Sequence, residues 1–495
     1  MDEYRIKYKR LIEPLYGPRH EDPLSNDNNN NDNDNDNDNS DNKNNVVPHA
    51  YSVEDRVDMT GYDVYSIDPE GCRDADDAFS IYTENDKLFL AIHIADPTEH
   101  INITSPVWTS ITNKIVTRYP SNTKPIHMMP EAIMQKSSLM VNKYGNIKLA
   151  ITIVTEIHTS TYEPIGNVRL LHTKIKVDAT RALSYGVAGR IASTHSVLQQ
   201  ALKISEALKS IRGNKTKGIV LNDLEKSYVR YNENGEPYLY CDTPLEKSMK
   251  QMIAEFAIFA NSFVGEYLKI HGNGLGLFRI CNASEWLGTL YDGITGAELL
   301  NEIIVSGIRA EYISNVGSHD LVGSPEYCHF TSPIRRFSDC ICHYLLKYIH
   351  LSLRQTKEAE STNSTSSITS PFTNEELEKY SNECARVSKL MKSVQYKDTK
   401  FRLIQTMYCM LLKNTSIRIS YFVSSYTGLF LNLIIDGINE HSVYLSYTLR
   451  IPIPKMKKKY EIKKKEELTI TRVNCMNEFD EGSIPELDAQ WVHGS

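Results

Sequence analysis

The chain has 495 residues, a formal net charge of −7, and apolar and charged fractions of 41% and 24%. These values are ordinary for a soluble globular protein with room for a large core and two or more domains. Most of the acidic excess lies in the first fifty residues, which argues against nucleic-acid binding by the whole surface and leaves a local basic channel for such a partner. Nine cysteines, an odd number without a Cys-x-x-Cys pair, argue against a disulfide framework or structural zinc and point to a reducing compartment. The N-terminus, MDEYRIKYKR, lacks the apolar core of a secretory signal, and no apolar run approaches the roughly 20 residues of a membrane span. An intracellular protein is expected, cytoplasmic first and nuclear second, with no membrane partner.

In chain order, YRIKYKRLIEPLYGP either folds alone or docks on the body, and is too short for a nucleic-acid-binding barrel. Residues 26–45 are an Asn/Asp tract that cannot bury apolar area and is expected to be disordered. From about Tyr51 the pattern turns globular: VYSID, AFSIYT, KLFLAIHIAD and KLAITIVTEI read as strands, β-branched and aromatic between turn residues. From Leu245 the period changes, with apolar residues at 249, 252, 253, 256, 259, 260, 263 and 267 forming a helical stripe. Further helices are expected over 296–313, 333–353 and 374–412, and the Ser/Thr-rich stretch 355–371 reads as an exposed loop. The last eighty residues alternate in strand fashion around glycines, as a small appended antiparallel barrel does or as an extra sheet of the body would. The reading is an α+β protein: an N-terminal segment over 1–50, a mixed body over 51–412, a small β domain over 413–480 and a tail over 481–495.

The stretch SIDPEGCRDADDA places Asp68, Asp74, Asp76 and Asp77 between two apolar runs. Carboxylates so crowded raise one another's pKa unless something positive sits among them, and a hard divalent cation that prefers oxygen would resolve the conflict. Two such ions could serve phosphodiester cleavage. An EF-hand loop fails, because Phe79 stands where that loop needs glycine. An all-helical terpene cyclase fails as well, because strands flank the motif. A solvated acidic turn is the common fate of such a cluster and stands beside the metal reading.

The second informative stretch is CHFTSPIRRFSDCICHYLL, residues 328–346. Ser332 followed by Pro333 reads as a cap and first helical position. Helical spacing places Ile334, Phe337, Ile341, Tyr344, Leu345 and Tyr348 on one side and Arg335, Arg336, Asp339 and His343 on the other. A helix N-terminus bearing two guanidiniums is a phosphate site. The plainer reading, two surface arginines, opposes the helix dipole and leaves them without a partner. His343 is expected to pair with Asp339 along the helix.

With SIDPEGCRDADDAF, LAIHIADPTEHI, HMMPEAI and HFTSPIRRFSDCICHYLL in this order, the chain resembles the RNase II/RNase R (RNB) exoribonuclease superfamily over residues 56–412, with wording closest to its eukaryotic exosome-type branch. The resemblance implies an RNB catalytic domain followed by an S1/OB-like β-barrel. It also implies a Mg²⁺-dependent hydrolytic 3′→5′ exoribonuclease that threads single-stranded RNA and releases 5′-nucleoside monophosphates. Asp68, Asp74, Asp76 and Asp77 match the family's metal-holding aspartates, which implies two Mg²⁺ ions with Mn²⁺ as a substitute. Asp76, Asp77 and Arg335 carry the catalysis in this reading, and Arg335, Arg336 and Ser332 face phosphate at the RNA 3′ end. Tyr119 falls where the family places an aromatic that stacks on the terminal base, and a core-packing role for it stands alongside.

The chain departs from the family pattern in places. Fewer than seventy residues precede the aspartates, which leaves no room for cold-shock barrels in this segment. Gln395 and Tyr396 occupy the positions of a family Glu-Arg pair. The lysine-rich run KMKKKYEIKKK either grips RNA backbone or solubilises the surface. A catalytically reduced RNA-binding scaffold or assembly subunit is therefore the alternative from another class, and an enzyme acting on DNA or small phosphodiesters is the third.

Overall fold

The central sheet follows from two strands and the turn between them. β1 (Val57–Asp58) and β2 (Ser66–Asp68) precede β3 (Asp77–Glu84) and β4 (Lys87–Ala95). The last two are joined by Asn85 and Asp86, at φ 50° and 61°. Both turn residues are left-handed, as a tight two-residue hairpin requires. β5 (Ile147–Ile157) and β6 (Pro164–Lys176) complete a sheet of order β1-β6-β5-β4-β3, antiparallel except for the β1–β6 pair. Nearly all of β4 and β5 is buried, so these strands are covered on both faces and read as continuous apolar runs. β7 (Ala182–Ser184) pairs in parallel with β2, opposite the strand that ends in Asp68. The computed structural model describes residues 2–19, 49–121, 123–213, 227–290, 299, 302–303, 306–362, 368–426, 430–450, 461, 464–474 and 486–491.

Helices cover the sheet. α1 (Asp2–Leu11) opens the chain, followed by α2 (Pro106–Lys114), α3 (Glu131–Ser137), α4 (Tyr185–Ile191) and α5 (Ser196–Gly213). α6 (Pro244–His271) starts in a capping box of Thr243 and Glu246 and buries Met249, Met252, Phe256, Ala260, Val264 and Leu268. Its Phe256 meets Phe79 of β3 at 5.4 Å between ring centroids. α7 (Ser284–Thr289) is short. α8 (Phe337–Thr362) begins later and runs longer than its spacing predicts, reaching into the stretch expected to be a loop. α9 (Asn374–Leu412) spans the expected residues behind a second capping box, Thr373 with Glu376. Of the helix expected over 296–313, only residues 299, 302–303 and 306–313 are described, and Glu311–Ile313 is a strand paired with Phe278–Ile280. The protein is α+β.

The N-terminal segment docks on the body: Tyr8 and Tyr16 are buried, and both hydroxyls donate to Asp398 of α9. The Asn/Asp tract and most of the lysine-rich run lie outside the described residues. The C-terminal strands Ile417–Tyr426, Phe430–Ile438, His441–Arg450, Lys465–Asn474 and Glu486–Trp491 form one antiparallel sheet, the third outermost on one side and the fifth on the other. Those two edge strands approach each other without a hydrogen-bonded ladder among the described residues. Among the described residues, the expected small barrel stands as an open sheet. Among the described residues, no helix is long and apolar enough to cross a membrane.

Candidate active site

Asp68 ends β2, and the chain turns through Gly71, whose φ of 79° suits glycine. The Cys72 N–H donates to the Pro69 carbonyl at 3.1 Å, closing the turn. The returning segment is pinned through its main chain. The Ala75 carbonyl accepts from Leu139 N–H at 3.0 Å, and the Asp76 carbonyl from Ala95 N–H at 2.8 Å. Asp77 then begins β3 opposite Ile94. These bonds fix the backbone from which Asp76 and Asp77 project.

The arginine segment is laid down by α6. A Cβ on Gly265 would sit 2.9 Å from the Glu326 carbonyl, so only glycine lets residues 326–327 pass this close. Asn261 accepts from Phe330 N–H at 2.8 Å and donates to the Tyr327 hydroxyl at 3.1 Å. Residues 332–336 then form a tight turn ahead of α8, in which Arg336 N–H donates to the Ser332 carbonyl at 3.0 Å. The two segments meet at Asp76. Ile334 N–H donates to Asp76 Oδ1 at 2.8 Å, and Arg335 Nε to Asp76 Oδ2 at 2.9 Å.

This geometry corrects the expected helix start. Pro333 is not the first helical residue, because Phe337 N–H donates to the Ile115 carbonyl at 2.9 Å instead of to Pro333, and the Arg335 carbonyl accepts from Thr117 N–H at 3.0 Å, so Arg336 bridges to Val116 as a strand residue. Ser332 caps no helix: its hydroxyl accepts from Arg335 Nη2 at 3.0 Å, and its N–H donates to Asp339 Oδ1 at 2.7 Å. Arg335 and Arg336 project from the turn, not from the first turn of a helix. Arg336 donates to Asp339 at 2.9 Å, so only Arg335 bonds directly to the aspartate segment. Nor does His343 pair with Asp339; its Nε2 lies 3.0 Å from the Phe330 carbonyl and its Nδ1 3.8 Å from Asp96.

Electrostatics mark the same place. Burial, with the charges of Asp76 and Asp74, pushes Asp68 up to about 6. Burial pushes Asp76 up to about 7 against the pull of Arg335, and raises Asp77 to about 7 with the Asp68 charge adding to it. Asp74 stands 4.0 Å from His127 Nδ1 and 3.6 Å from the Cys72 thiol. Tyr119 is 41% exposed, which removes the core-packing role, and it lies within electrostatic reach of Asp74, Arg335 and Asp76.

The donor set suits a hard cation: carboxylates that raise one another's pKa, and Asp68 Oδ2 buried without a hydrogen-bond partner. Among the described residues, no three carboxylate, imidazole or thiol groups converge into a ready coordination shell. Asp76 is held by Arg335 and Ile334, and entry of a cation would have to release or share that carboxylate.

A family model described as RNB domain matches residues 56–351, more than half of the chain. The chain belongs to the RNB exoribonuclease superfamily. It is 26% identical to Ribonuclease R of Helicobacter pylori over 60% of this chain and 50% of that protein. To the human Exosome complex exonuclease RRP44 it is 25% identical over 59% of this chain and 34% of that one. The chain thus spans about half the length of the first of these relatives and less of the second. In fold it is similar to Mycoplasma genitalium RNase R in complex with ribose-methylated single-stranded RNA, with TM-score 0.66 and 18% identity over 86% of this chain and 70% of that one. It is also similar to yeast Ssd1, a pseudonuclease, with TM-score 0.59 and 20% identity over 81% of this chain and 51% of that one.

In this RNB chain several residues that shape the site escaped the sequence reading. Tyr185, at the start of α4, stands within reach of the Asp77 and Asp68 charges. Arg56, Asp96, Glu99 and Lys347 form a buried network: Arg56 Nη2 reaches Asp96 and Glu99 at 2.6 Å each, and Lys347 Nζ reaches them at 3.0 and 2.6 Å. It ties the end of β4 to α8, and so holds the aspartate sheet against the arginine segment. The available signal was a charge inside an apolar run, Lys347 in HYLLKYIH and Asp96 closing KLFLAIHIAD. Gln395 and Tyr396 lie on α9, where the Tyr396 hydroxyl donates to the Ser446 carbonyl of the C-terminal sheet.

Proposed function

We propose that this chain is a Mg²⁺-dependent hydrolytic 3′→5′ exoribonuclease that removes 5′-nucleoside monophosphates from single-stranded RNA. The observation that carries the reading is the junction of Asp76 with Arg335 and Ile334, which brings the acidic turn of residues 68–77 against a guanidinium suited to bind phosphate. Asp68, Asp74, Asp76 and Asp77 would hold the divalent ions, Mg²⁺ or Mn²⁺ in its place; when bound, such ions activate water and neutralise charge on the phosphate. Arg335 would shift from Asp76 to the scissile phosphate, offering paired N–H donors where negative charge grows. Arg336, braced by Asp339, supplies a second positive charge in the same turn. Tyr119 would stack on the terminal base, a contact indifferent to sequence that suits a general degrader. The order of the C-terminal strands is that of a partly open five-stranded barrel, and we assign it an S1/OB-like role in holding RNA.

A second reading has an observation of its own. Both Asp76 oxygens are engaged by protein, and no ready coordination shell forms among the described residues, as in an RNA-binding protein that has given up catalysis. Incubating purified protein at enzyme excess with 3′-labelled and 5′-labelled single-stranded RNA separates the two. Mg²⁺-dependent release of mononucleotides from the 3′ end supports the enzyme, and binding without release supports the scaffold. Cleavage of all-deoxy substrate as fast as RNA would move the assignment to DNA or small phosphodiesters.

A further inference from the structure

The hairpin that carries Tyr119 is held by residues far from it in sequence. Arg118 and Ile126 exchange both main-chain hydrogen bonds, at 3.0 and 2.8 Å, closing a loop with Ser121 near its tip. The Ser121 N–H is shared between the Tyr8 hydroxyl at 2.7 Å and Asp398 Oδ2 at 3.1 Å. That same oxygen accepts from the hydroxyls of Tyr8 at 3.0 Å and Tyr16 at 2.7 Å. Asp398 is 2% exposed, and its other oxygen faces Arg402 at 3.4 Å.

Residues 2–19 bind the arms of the hairpin as well as its tip. Arg118 Nη1 donates to the Tyr16 carbonyl at 2.7 Å, and Arg19 Nη2 donates to Thr123 Oγ1 at 2.9 Å and to the Lys124 carbonyl at 2.8 Å. Gly17, at φ 83°, turns the chain where a Cβ would lie 2.6 Å from Arg118 Nη1. A buried carboxylate is costly unless donors surround it, and bonds to a charged acceptor are stronger than neutral ones. Every donor to Asp398 Oδ2 named above comes from the N-terminal segment or the hairpin. The carboxylate therefore joins three elements, α9, the N-terminal segment and the Tyr119 loop, while the Tyr119 ring stays exposed beside the aspartates.

We propose that Asp398, through the hydroxyls of Tyr8 and Tyr16, is a positioning residue that fixes the Tyr119 hairpin over the aspartate turn, so that residues 2–19 set how firmly the 3′-terminal base of an RNA is gripped. This rests on the reading of the chain as a protein that takes RNA 3′ ends. A purely structural role for Asp398 would weaken binding of every RNA alike, whereas a positioning role alters the part of affinity that comes from the terminal base.

The test uses the full chain in EDTA, so that no turnover intervenes, and two single-stranded oligoribonucleotides that differ only in an abasic ribose at the 3′ end. The wild-type chain should prefer the base-bearing end by about 5–150-fold, the range that stacking of one base supplies. Asp398→Ala should bring that ratio down to the value of Tyr119→Ala and change it no further in the double variant. Asp398→Asn, which keeps an acceptor oxygen, should retain part of the preference. An Asp398→Ala chain with the wild-type ratio overturns the proposal. Should that variant fail to fold, the Tyr8→Phe, Tyr16→Phe chain decides by the same ratio. Tight binding of both oligonucleotides without preference in the wild type overturns the role of Tyr119 and this proposal with it; no binding of either overturns the underlying functional reading.

Discussion

Asp76 and Arg335 are 259 positions apart in the chain, and carboxylate oxygen and guanidinium nitrogen meet at 2.9 Å. The two ends of the contact differ in surroundings: the Asp76 side chain is 3% exposed and that of Arg335 46%. The arginine can therefore leave toward a ligand, whereas the aspartate cannot leave toward water. Arg335→Ala should lower the RNA degradation rate by about 100-fold or more, since it removes a donor to charge that grows in the transition state. Stability in urea unfolding should fall by about 1–3 kcal/mol, because buried Asp76 Oδ2 loses its guanidinium donor while Ile334 N–H still serves Oδ1. A near-normal rate in the variant would remove Arg335 from the site.

Asp76→Asn keeps the shape of the side chain and deletes one negative charge beside the proposed phosphate position. Turnover should fall by about 100-fold or more with Mg²⁺ present, as expected for loss of a cation-holding carboxylate. Affinity for single-stranded RNA, measured by fluorescence anisotropy, should be equal to or tighter than wild type, because less charge repels the phosphate. Binding weakened in parallel with turnover would argue for a general loss of structure instead.

The buried network behind the site predicts a stability effect without direct chemistry. Lys347→Met removes one of the two cations that serve Asp96 and Glu99, leaving Arg56 alone with two buried carboxylates. Breaking such a pair from one side costs about 3–5 kcal/mol. The midpoint of urea unfolding should drop accordingly, and protection of amide hydrogens should fall first at the start of α8. An unchanged midpoint would show that the network is replaceable.

The acidic turn also predicts a pH dependence with a definite sign. Asp68 and Asp77 stand at about 6 and about 7 in the folded protein against an ordinary 3.8. Raised carboxyl groups bind more protons folded than unfolded, so their stabilising contribution is complete below about 3.8 and is lost as pH rises through about 6 to 7. His93, which burial holds down to about 3 from 6.5, acts in the opposite sense below pH 6.5 and confines the clean window to higher pH. In metal-free buffer the melting temperature should therefore fall from pH 6.5 to about pH 8, by on the order of 1 °C more in wild type than in Asp77→Asn. Saturating Mg²⁺ should flatten the slope if it binds these carboxylates. A slope identical in the two proteins would show that Asp77 does not titrate in this window.

By itself the sequence determined what depends on near neighbours. The alternation of AFSIYT and KLFLAIHIAD specified two strands, and apolar spacing specified the long helices from Leu245 and over 374–412. The chemical identities of the acidic turn and the arginine pair, with their order along the chain, were enough to place it in its family. Only the tertiary structure decided how these pieces face one another. Ser332 and Pro333 carry a strong local helix signal, yet Ile115 and Thr117 claim the Phe337 N–H and the Arg335 carbonyl that a helix would have used, so Arg335 projects from a turn. The same holds for Lys347 and Asp398, charges whose partners lie far away in sequence. Spacing records a residue's own surface and not what another segment brings to it, and buried charges take their meaning from those distant partners.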